Sequence, residues 1–284
     1  MIENQLLLVK YDSTKIEFVD YGGYESRNLA TINLLKKAWL KYVKNTDQQQ
    51  KTISIFTGDH YHHEYDYSYA TFMGQPDRSF PAAIFDSWPE IGIKNYDDVF
   101  DQMIQGGEIE YEDERVFWVG AESNPWRRIA YNVFQQEKNS NLAHIKLMGW
   151  NRTNPEKLYS EDYVSLPDHC KYRVLIDFPG CGFSGRIPLL MASGRPVIVL
   201  GRPLEQWYYW SDEFIPWEHY IPCGNKDGSG VTEDAILESV QWTFDNKEKA
   251  KNIGKNGQEY AIKNFNKKTI IEKIGSILVN HKND

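Results

Sequence analysis

One run constrains this chain more than any other: DHCKYRVLIDFPGCGFSGRIPLLMASGRPVIVLG, from Asp168 to Gly201. Residues 173–178 and 196–201 read as strands whose near-continuous apolar character suits burial on both faces of a parallel sheet. A turn and a helix separate them. Pro188 falls in the first turn of that helix, where a missing N–H costs nothing. Gly180, Gly182 and Gly185 crowd the turn, together with Ser184 and Arg186. A glycine-rich turn feeding a helix start presents free N–H groups and the positive end of a dipole, which suits phosphate. Arg186 adds a planar cation able to grip two phosphate oxygens. The plain alternative is ordinary turn chemistry with Arg186 in a surface ion pair. The spacing is neither GxGxxG nor GxxxxGK[ST], so neither a dinucleotide fingerprint nor a P-loop is supported.

The rest of the second half repeats the alternation. Val116–Val119 is a strand ending in Gly120, Ala121–Asn124 a loop, and Pro125 opens a helix carrying Arg127 and Arg128. Ile145–Met148 is a strand and Leu158–Val164 a helix. Thr232 starts a helix with Glu233 and Asp234 in its first turn, which suits the dipole. Lys247–Phe265 is mostly helical, and Lys268–Asn280 carries its isoleucines on one stripe. In the first half, Gln5–Lys10 and Lys15–Val19 read as strands. Asn28 is expected to cap the helix that follows. Thr52–Thr57 is a strand delivering Gly58, Asp59 and His60 at its C-terminal end, where ligands collect in open α/β sheets. The long aromatic stretch Tyr61–Glu90 is expected to be functional, with a short strand at Pro81–Phe85. Gly106-Gly107 and the acidic run Glu108–Glu114 read as a linker. The pattern predicts an α/β protein with two domains: 1–112, and 113–265 followed by a last helix at 266–284.

With 284 residues, 41% of them hydrophobic, the chain can bury a substantial core. A net charge of −8 argues against a nucleic-acid partner. Cys170, Cys181 and Cys223 make no paired disulfide framework. The N-terminal MIENQLLLVKYD has neither a basic leader nor a long apolar run, so no membrane span is expected and the predicted location is cytoplasmic. Aromatic residues make up 14% of the chain. Core filling is their default use, and their flat faces also suit sugar rings.

The organising run resembles the core of glycosyltransferase family 90, which includes capsule-associated proteins, lipopolysaccharide-modifying enzymes and protein O-glucosyltransferases. The matching positions are His169, Lys171 and Tyr172, the Ser184-x-Arg186 turn, the Ser193-Gly194 step, and Pro216–Pro222, which reads PWEHYIP. The resemblance extends, more thinly, from about Ser54 to Phe265. It implies a GT-B architecture: two Rossmann-like domains facing a cleft, with the C-terminal helix returning to the first domain. It also implies a UDP-sugar donor held by the second domain and a carbohydrate or glycoprotein acceptor held by the first.

On this resemblance the donor would meet Gly182, Phe183, Ser184 and Arg186, and also the GAESNPWRR loop through Gly120, Ser123, Asn124 and Arg127. The loop departs from the family at Ala121 and Glu122. Without the resemblance, Asn124 and Pro125 are simply an N-cap and an N1 proline. Asp59 stands where the family keeps its general base, since an attacking hydroxyl must lose a proton. The family usually has Arg-Asp there, whereas this chain has Gly58-Asp59. Acceptor contacts are expected from His60, His62, Asp86 and Trp88. The run His60, His62, His63 and Glu64 also invites a zinc reading, but it lacks a recognised ligand spacing, so no metal is expected. With no D-x-D pair in the donor half, arginines and helix starts would replace a metal, and no cofactor is expected. The expected activity is an inverting transfer of glucose or xylose from a UDP-sugar. A non-catalytic sugar-nucleotide or glycan-binding protein of the same fold is the alternative, and a zinc hydrolase a third.

Overall fold

A computed structural model of the protein describes residues 5–58, 67–71, 78–149, 163–180, 182, 184–203 and 213–282. In chain order the elements are β1 (Leu6–Tyr11), β2 (Ile16–Asp20), α1 (Glu25–Tyr42), β3 (Lys51–Phe56), β4 (Tyr69–Ala70), α2 (Tyr96–Glu108), β5 (Asp113–Gly120), α3 (Pro125–Gln135) and β6 (Ala143–Leu147). They continue as β7 (Tyr172–Asp177), α4 (Ile187–Ala192), β8 (Val197–Leu200), β9 (Ile221–Cys223), α5 (Glu233–Asp245), α6 (Lys247–Asn264) and α7 (Lys267–Asn280). Two compact units result. Among the described residues the first takes the chain through Asp97 and again from Asn264, and the second runs from Asp98 to Lys263. No helix among the described residues is long and apolar enough to cross a membrane.

The first unit is built on a sheet of order β2-β1-β3-β4, with β1 antiparallel to both β2 and β3, and β4 parallel to β3. Asp12 closes the β1–β2 hairpin, accepting the Thr14 and Lys15 N–H groups at 2.7 and 3.0 Å, as a short carboxylate does in an Asx turn. Leu7, Val9 and Tyr11 alternate into the core, and α1 contributes Leu34, Leu35 and Ala38. Helix α7 packs on α1. There Gly275 is required by closeness, because a Cβ would stand 2.2 Å from the Tyr42 ring. The Tyr11 hydroxyl donates to the Leu278 carbonyl at 2.8 Å, and Lys51 Nζ donates to the Val279 carbonyl at 2.7 Å.

Two local expectations are corrected in this unit. Asn28 is not a cap: α1 begins earlier, and Asn28 is buried within it. Its amide donates to Asp20 at 2.8 Å, and its carbonyl accepts the Thr57 hydroxyl at 2.6 Å, which fixes the end of β3. Pro81–Phe85 is not a strand. Ala83–Phe85 form one turn of 3-10 helix, with all three residues buried.

Asp86, at the end of that turn, is buried and braced. Lys37 Nζ lies 2.7 Å from one carboxylate oxygen and Asn33 Nδ2 3.0 Å from the other, with Lys267 Nζ at 3.5 Å. Burial alone would raise this carboxyl. The Lys37 and Asn33 hydrogen bonds and the charges of Lys37 and Lys267 outweigh burial and hold it below the usual carboxylate value. A depressed folded value means that the stabilisation is complete above the unfolded value of about 3.9 and is lost as pH falls through the folded one. Asp86→Asn is therefore expected to cost about 1–3 kcal/mol of unfolding free energy at pH 7. Urea denaturation from pH 7 down to pH 2 checks this, since the gap to wild type should narrow in acid.

The second unit is a five-stranded, all-parallel sheet of order β6-β5-β7-β8-β9. Its core includes Val116, Val174, Ile176, Ile198, Leu200 and Ile221, with Phe134 of α3 and Val240 of α5 against them. In the unit's own numbering the order is 2-1-3-4-5, so the winding reverses between β5 and β7, and the crevice outside the carboxyl ends of these two strands is where such sheets take ligands. Gly106 and Gly107 do not form a linker: they belong to the last turn of α2. A Cβ on Gly107 would stand 1.6 Å from the Ser193 carbonyl, so the small residues let the helix come that close. The expected helix at Leu158–Val164 lies almost wholly outside the described residues.

Candidate functional site

The carboxyl ends of β5 and β7 carry the residues that the sequence singled out in the second unit. After Gly120, Asn124 caps α3 by accepting the Trp126 N–H at 3.0 Å, with Pro125 as the first helical residue. The Asn124 amide also reaches the Gly180 carbonyl at 3.4 Å, tying the β5 loop to the β7 loop. Arg127 completes that tie. Its Nε donates to the Pro179 carbonyl at 3.0 Å and its Nη2 to the Phe178 carbonyl at 3.3 Å. Its Nη1 serves the Ala121 carbonyl at 2.8 Å and the Ser123 hydroxyl at 2.7 Å. The guanidinium is buried, and four of its five N–H donors are spent on the protein. Arg127 thus fixes the two loops around the crevice, and in this structure it offers little of its fork outward. Glu122, a departure from the family pattern, is paired with Arg128, both exposed.

Arg186 comes to the same place from the β7 loop. Its Nη1 donates to the Val119 carbonyl at 2.7 Å. Trp118 is close to both arginines, with the Arg127 and Arg186 guanidinium carbons 5.2 and 5.4 Å from its ring, within cation–π range. The Trp118 ring meets Phe178 edge-on at 5.3 Å. Burial works against the charge of Arg186, while Asp177 supports it. Arg186 is the N-cap residue of α4, and α4 is only six residues long, so the arginine rather than a helix dipole is the main positive feature.

Two residues in this cluster were missed by the sequence reading. Asp177, the last residue of β7, accepts the Ser184 hydroxyl at 2.5 Å on one oxygen and Arg202 Nη2 at 2.9 Å on the other. Both side chains of the Asp177–Arg202 pair are 0% exposed. A carboxylate at the end of an otherwise apolar buried strand, and an arginine two residues past the next strand, were the available signals. Gly182 is buried beside Ser184 in the same loop. Phe183 and Cys181 lie outside the described residues.

The other family positions make contacts within the protein. His169 is buried, its Nδ1 2.8 Å from the Ser165 carbonyl and its ring edge-on to Phe117 at 4.9 Å. Burial pushes its pKa down to about 4, so it is neutral at pH 7. Tyr172 stacks on Phe117 at 4.0 Å, and its hydroxyl lies 2.8 Å from His144 Nδ1. Lys171 pairs with Asp168 at the surface. His219 accepts the Ile215 N–H on Nδ1 at 3.0 Å, which fixes the turn of the PWEHYIP segment.

In the first unit, Asp59, His60 and His62 lie outside the described residues, as does the His60–Glu64 run. Among the described residues no group of three His, Cys, Asp or Glu gathers as a metal site. Asp86 is committed to its brace. Trp88 is half-buried, hydrogen-bonded through its backbone to Ile93, with the Arg27 guanidinium 5.6 Å from its ring and 4.2 Å from that of Tyr24.

Comparison with known proteins adds the following. The model of the family described as "Glycosyl transferase family 90" matches residues 44–281. Mouse protein O-glucosyltransferase 3 is 30% identical over 125 residues, which are 44% of this chain and 20% of that protein. Mouse protein O-glucosyltransferase 1 is 35% identical over 99 residues, 35% of this chain and 23% of that protein. The matched part is thus about a fifth of the length of these curated relatives. Among solved structures, Anabaena Alr3699/HepE in complex with UDP-glucose overlaps with a TM-score of 0.38 at 14% identity, over 68% of this chain and 46% of that one. Sucrose-phosphate synthase from Thermosynechococcus elongatus overlaps with a TM-score of 0.39 at 15% identity, over 86% and 55%. Both overlaps are loose.

Proposed function

Because the chain belongs to glycosyl transferase family 90, we propose that it is a UDP-sugar-dependent glycosyltransferase of GT-B architecture. It moves glucose or xylose to a hydroxyl of a glycan or glycoprotein acceptor with inversion. The names of the mouse relatives favour glucose. The observation that carries the reading is the placement of Arg186 and Ser184 at the carboxyl ends of β5 and β7, the switch point of the parallel sheet.

In this scheme the donor's diphosphate lies against the β7 loop, with Arg186 as its cation. The Gly120–Asn124 loop, held by Arg127, forms the opposite wall. Asp59, beyond the end of β3, takes the proton from the acceptor hydroxyl. That oxygen attacks the anomeric carbon as the bond to UDP breaks, and the electron pair passes to the β-phosphate oxygen. Arg186 offsets the charge that develops there, and such fixed electrostatic groups are among the largest contributors to rate. The tie of Arg127 to four protein acceptors makes it chiefly a positioning residue, with its charge reaching the diphosphate over a longer distance.

A hydrolysis screen of several UDP-sugars with the purified protein tests this reading, run with and without EDTA. Turnover of UDP-glucose or UDP-xylose is expected, and it should survive chelation, because arginines rather than a D-x-D-bound metal carry the leaving-group charge. Activity abolished by EDTA and restored by Mn²⁺ or Mg²⁺ would overturn the arginine scheme. UDP binding with no turnover in the presence of any acceptor would leave a sugar-nucleotide-binding protein.

A further inference from the structure

At the end of β7 one buried anion stands among cations. Asp177 gives one carboxylate oxygen to Arg202 at 2.9 Å and the other to the Ser184 hydroxyl at 2.5 Å. Arg202 also donates from Nε to the Leu200 carbonyl at 3.1 Å, which fixes it at the end of β8. Ser184 stands two residues before Arg186 in the same turn, and Arg186 is held over Trp118 by the Val119 carbonyl. Resting on the donor-site reading above, this arrangement has two consequences for an arriving diphosphate. The Ser184 proton points at Asp177, so the hydroxyl turns a lone pair rather than a donor toward other partners. The Asp177 charge also cancels one of two nearby arginine charges in a region where water does not screen them.

We infer that Asp177 is a positioning residue that limits the affinity of the site for UDP and thereby sets the rate of product release. Its partner Arg202 acts through the same pair with the opposite sign. Removing the anion leaves the Arg202 charge uncompensated beside that of Arg186. Removing Arg202 leaves the anion uncompensated. An asparagine at 177 also presents an amide N–H to Ser184, which frees the serine hydroxyl to donate to phosphate.

The test is UDP binding by calorimetry, with steady-state kinetics on the best UDP-sugar, for wild type, Asp177→Asn, Arg202→Met and the double variant. Asp177→Asn is expected to bind UDP on the order of tenfold more tightly and to lower kcat and KM together, as slow release of product does. Arg202→Met is expected to bind on the order of tenfold more weakly, and the double variant should return toward wild type. A merely structural role gives losses of the same sign in both single variants, and that result overturns the inference. So does unchanged affinity in a folded Asp177→Asn. If Asp177→Asn does not fold, the neutral double variant becomes the reference, since a buried pair can often be replaced whole. Arg202→Met must then bind more weakly than that reference, and equal affinities overturn the inference. Wild-type protein that binds no UDP overturns the donor-site reading and this inference with it. Wild-type binding with same-sign losses overturns this inference alone.

Discussion

Asp59→Asn is expected to lower glycosyl transfer by roughly 10²–10⁴-fold while leaving UDP affinity within a few-fold, the usual range for losing a general base. The substitution keeps size and hydrogen-bonding capacity and removes only the basic oxygen. The backbone that leads into this residue is well fixed. Thr57 donates its N–H to the Gln5 carbonyl at 2.9 Å and its hydroxyl to Asn28 at 2.6 Å. Donor contacts are assigned to the second unit, so binding and chemistry should separate in this variant. Single-turnover transfer and UDP calorimetry on the same preparation check it. Near wild-type transfer would move the role to His60, because the Asp86 carboxylate is already held by Lys37, Asn33 and Lys267. Loss of UDP binding would mean that donor and acceptor are not divided between the two units.

Arg186→Ala is expected to weaken UDP binding by about 2–5 kcal/mol, the range for removing one partner of a desolvated charge contact. Among the described residues the arginine is held by one carbonyl hydrogen bond, to Val119, and by the Trp118 face. That contrasts with Arg127, whose donors are nearly all engaged. Arg186→Lys keeps the charge but loses the planar fork, and should fall between wild type and alanine. Calorimetry with a thermal melt alongside reads the effect. Unchanged UDP affinity in a folded Arg186→Ala protein would remove Arg186 from the donor site.

The second unit was legible because its strands are apolar runs separated by glycine, proline and polar turns. The strand, turn, helix and strand from Tyr172 to Leu200 follow the sequence reading to within a residue or two at their ends. What failed was local chemistry decided by distant partners. Asn28 has the composition of a cap, yet its amide is used by Asp20 and Thr57, which come from other parts of the chain. Gly107 has the composition of a linker, yet its missing side chain lets α2 approach Ser193. Pro81–Phe85 is apolar enough for a strand, and periodicity cannot distinguish a buried strand from a buried turn. At the site, the sequence placed two cations near one crevice. It could not show that Arg127 turns its guanidinium to backbone carbonyls, or that Asp177 holds the Ser184 proton, because both depend on how two loops lie against each other.

The return of α7 to the first unit has a consequence for the order of events during synthesis. Among the described residues the second unit occupies one continuous stretch, Asp98 to Lys263, and β9, the last strand of its sheet, is made before α5 and α6. The first unit is interrupted by all of it. Tyr11 and Lys51 have their partners in the carbonyls of Leu278 and Val279, and Tyr42 has its neighbour in Gly275. Closing so long a loop adds little to the equilibrium cost, which grows only with the logarithm of its length. It does impose a delay. A nascent chain carries a finished second unit while the α1 face that α7 covers is still bare, and exposed apolar surface of that kind is what makes partly made chains associate with one another.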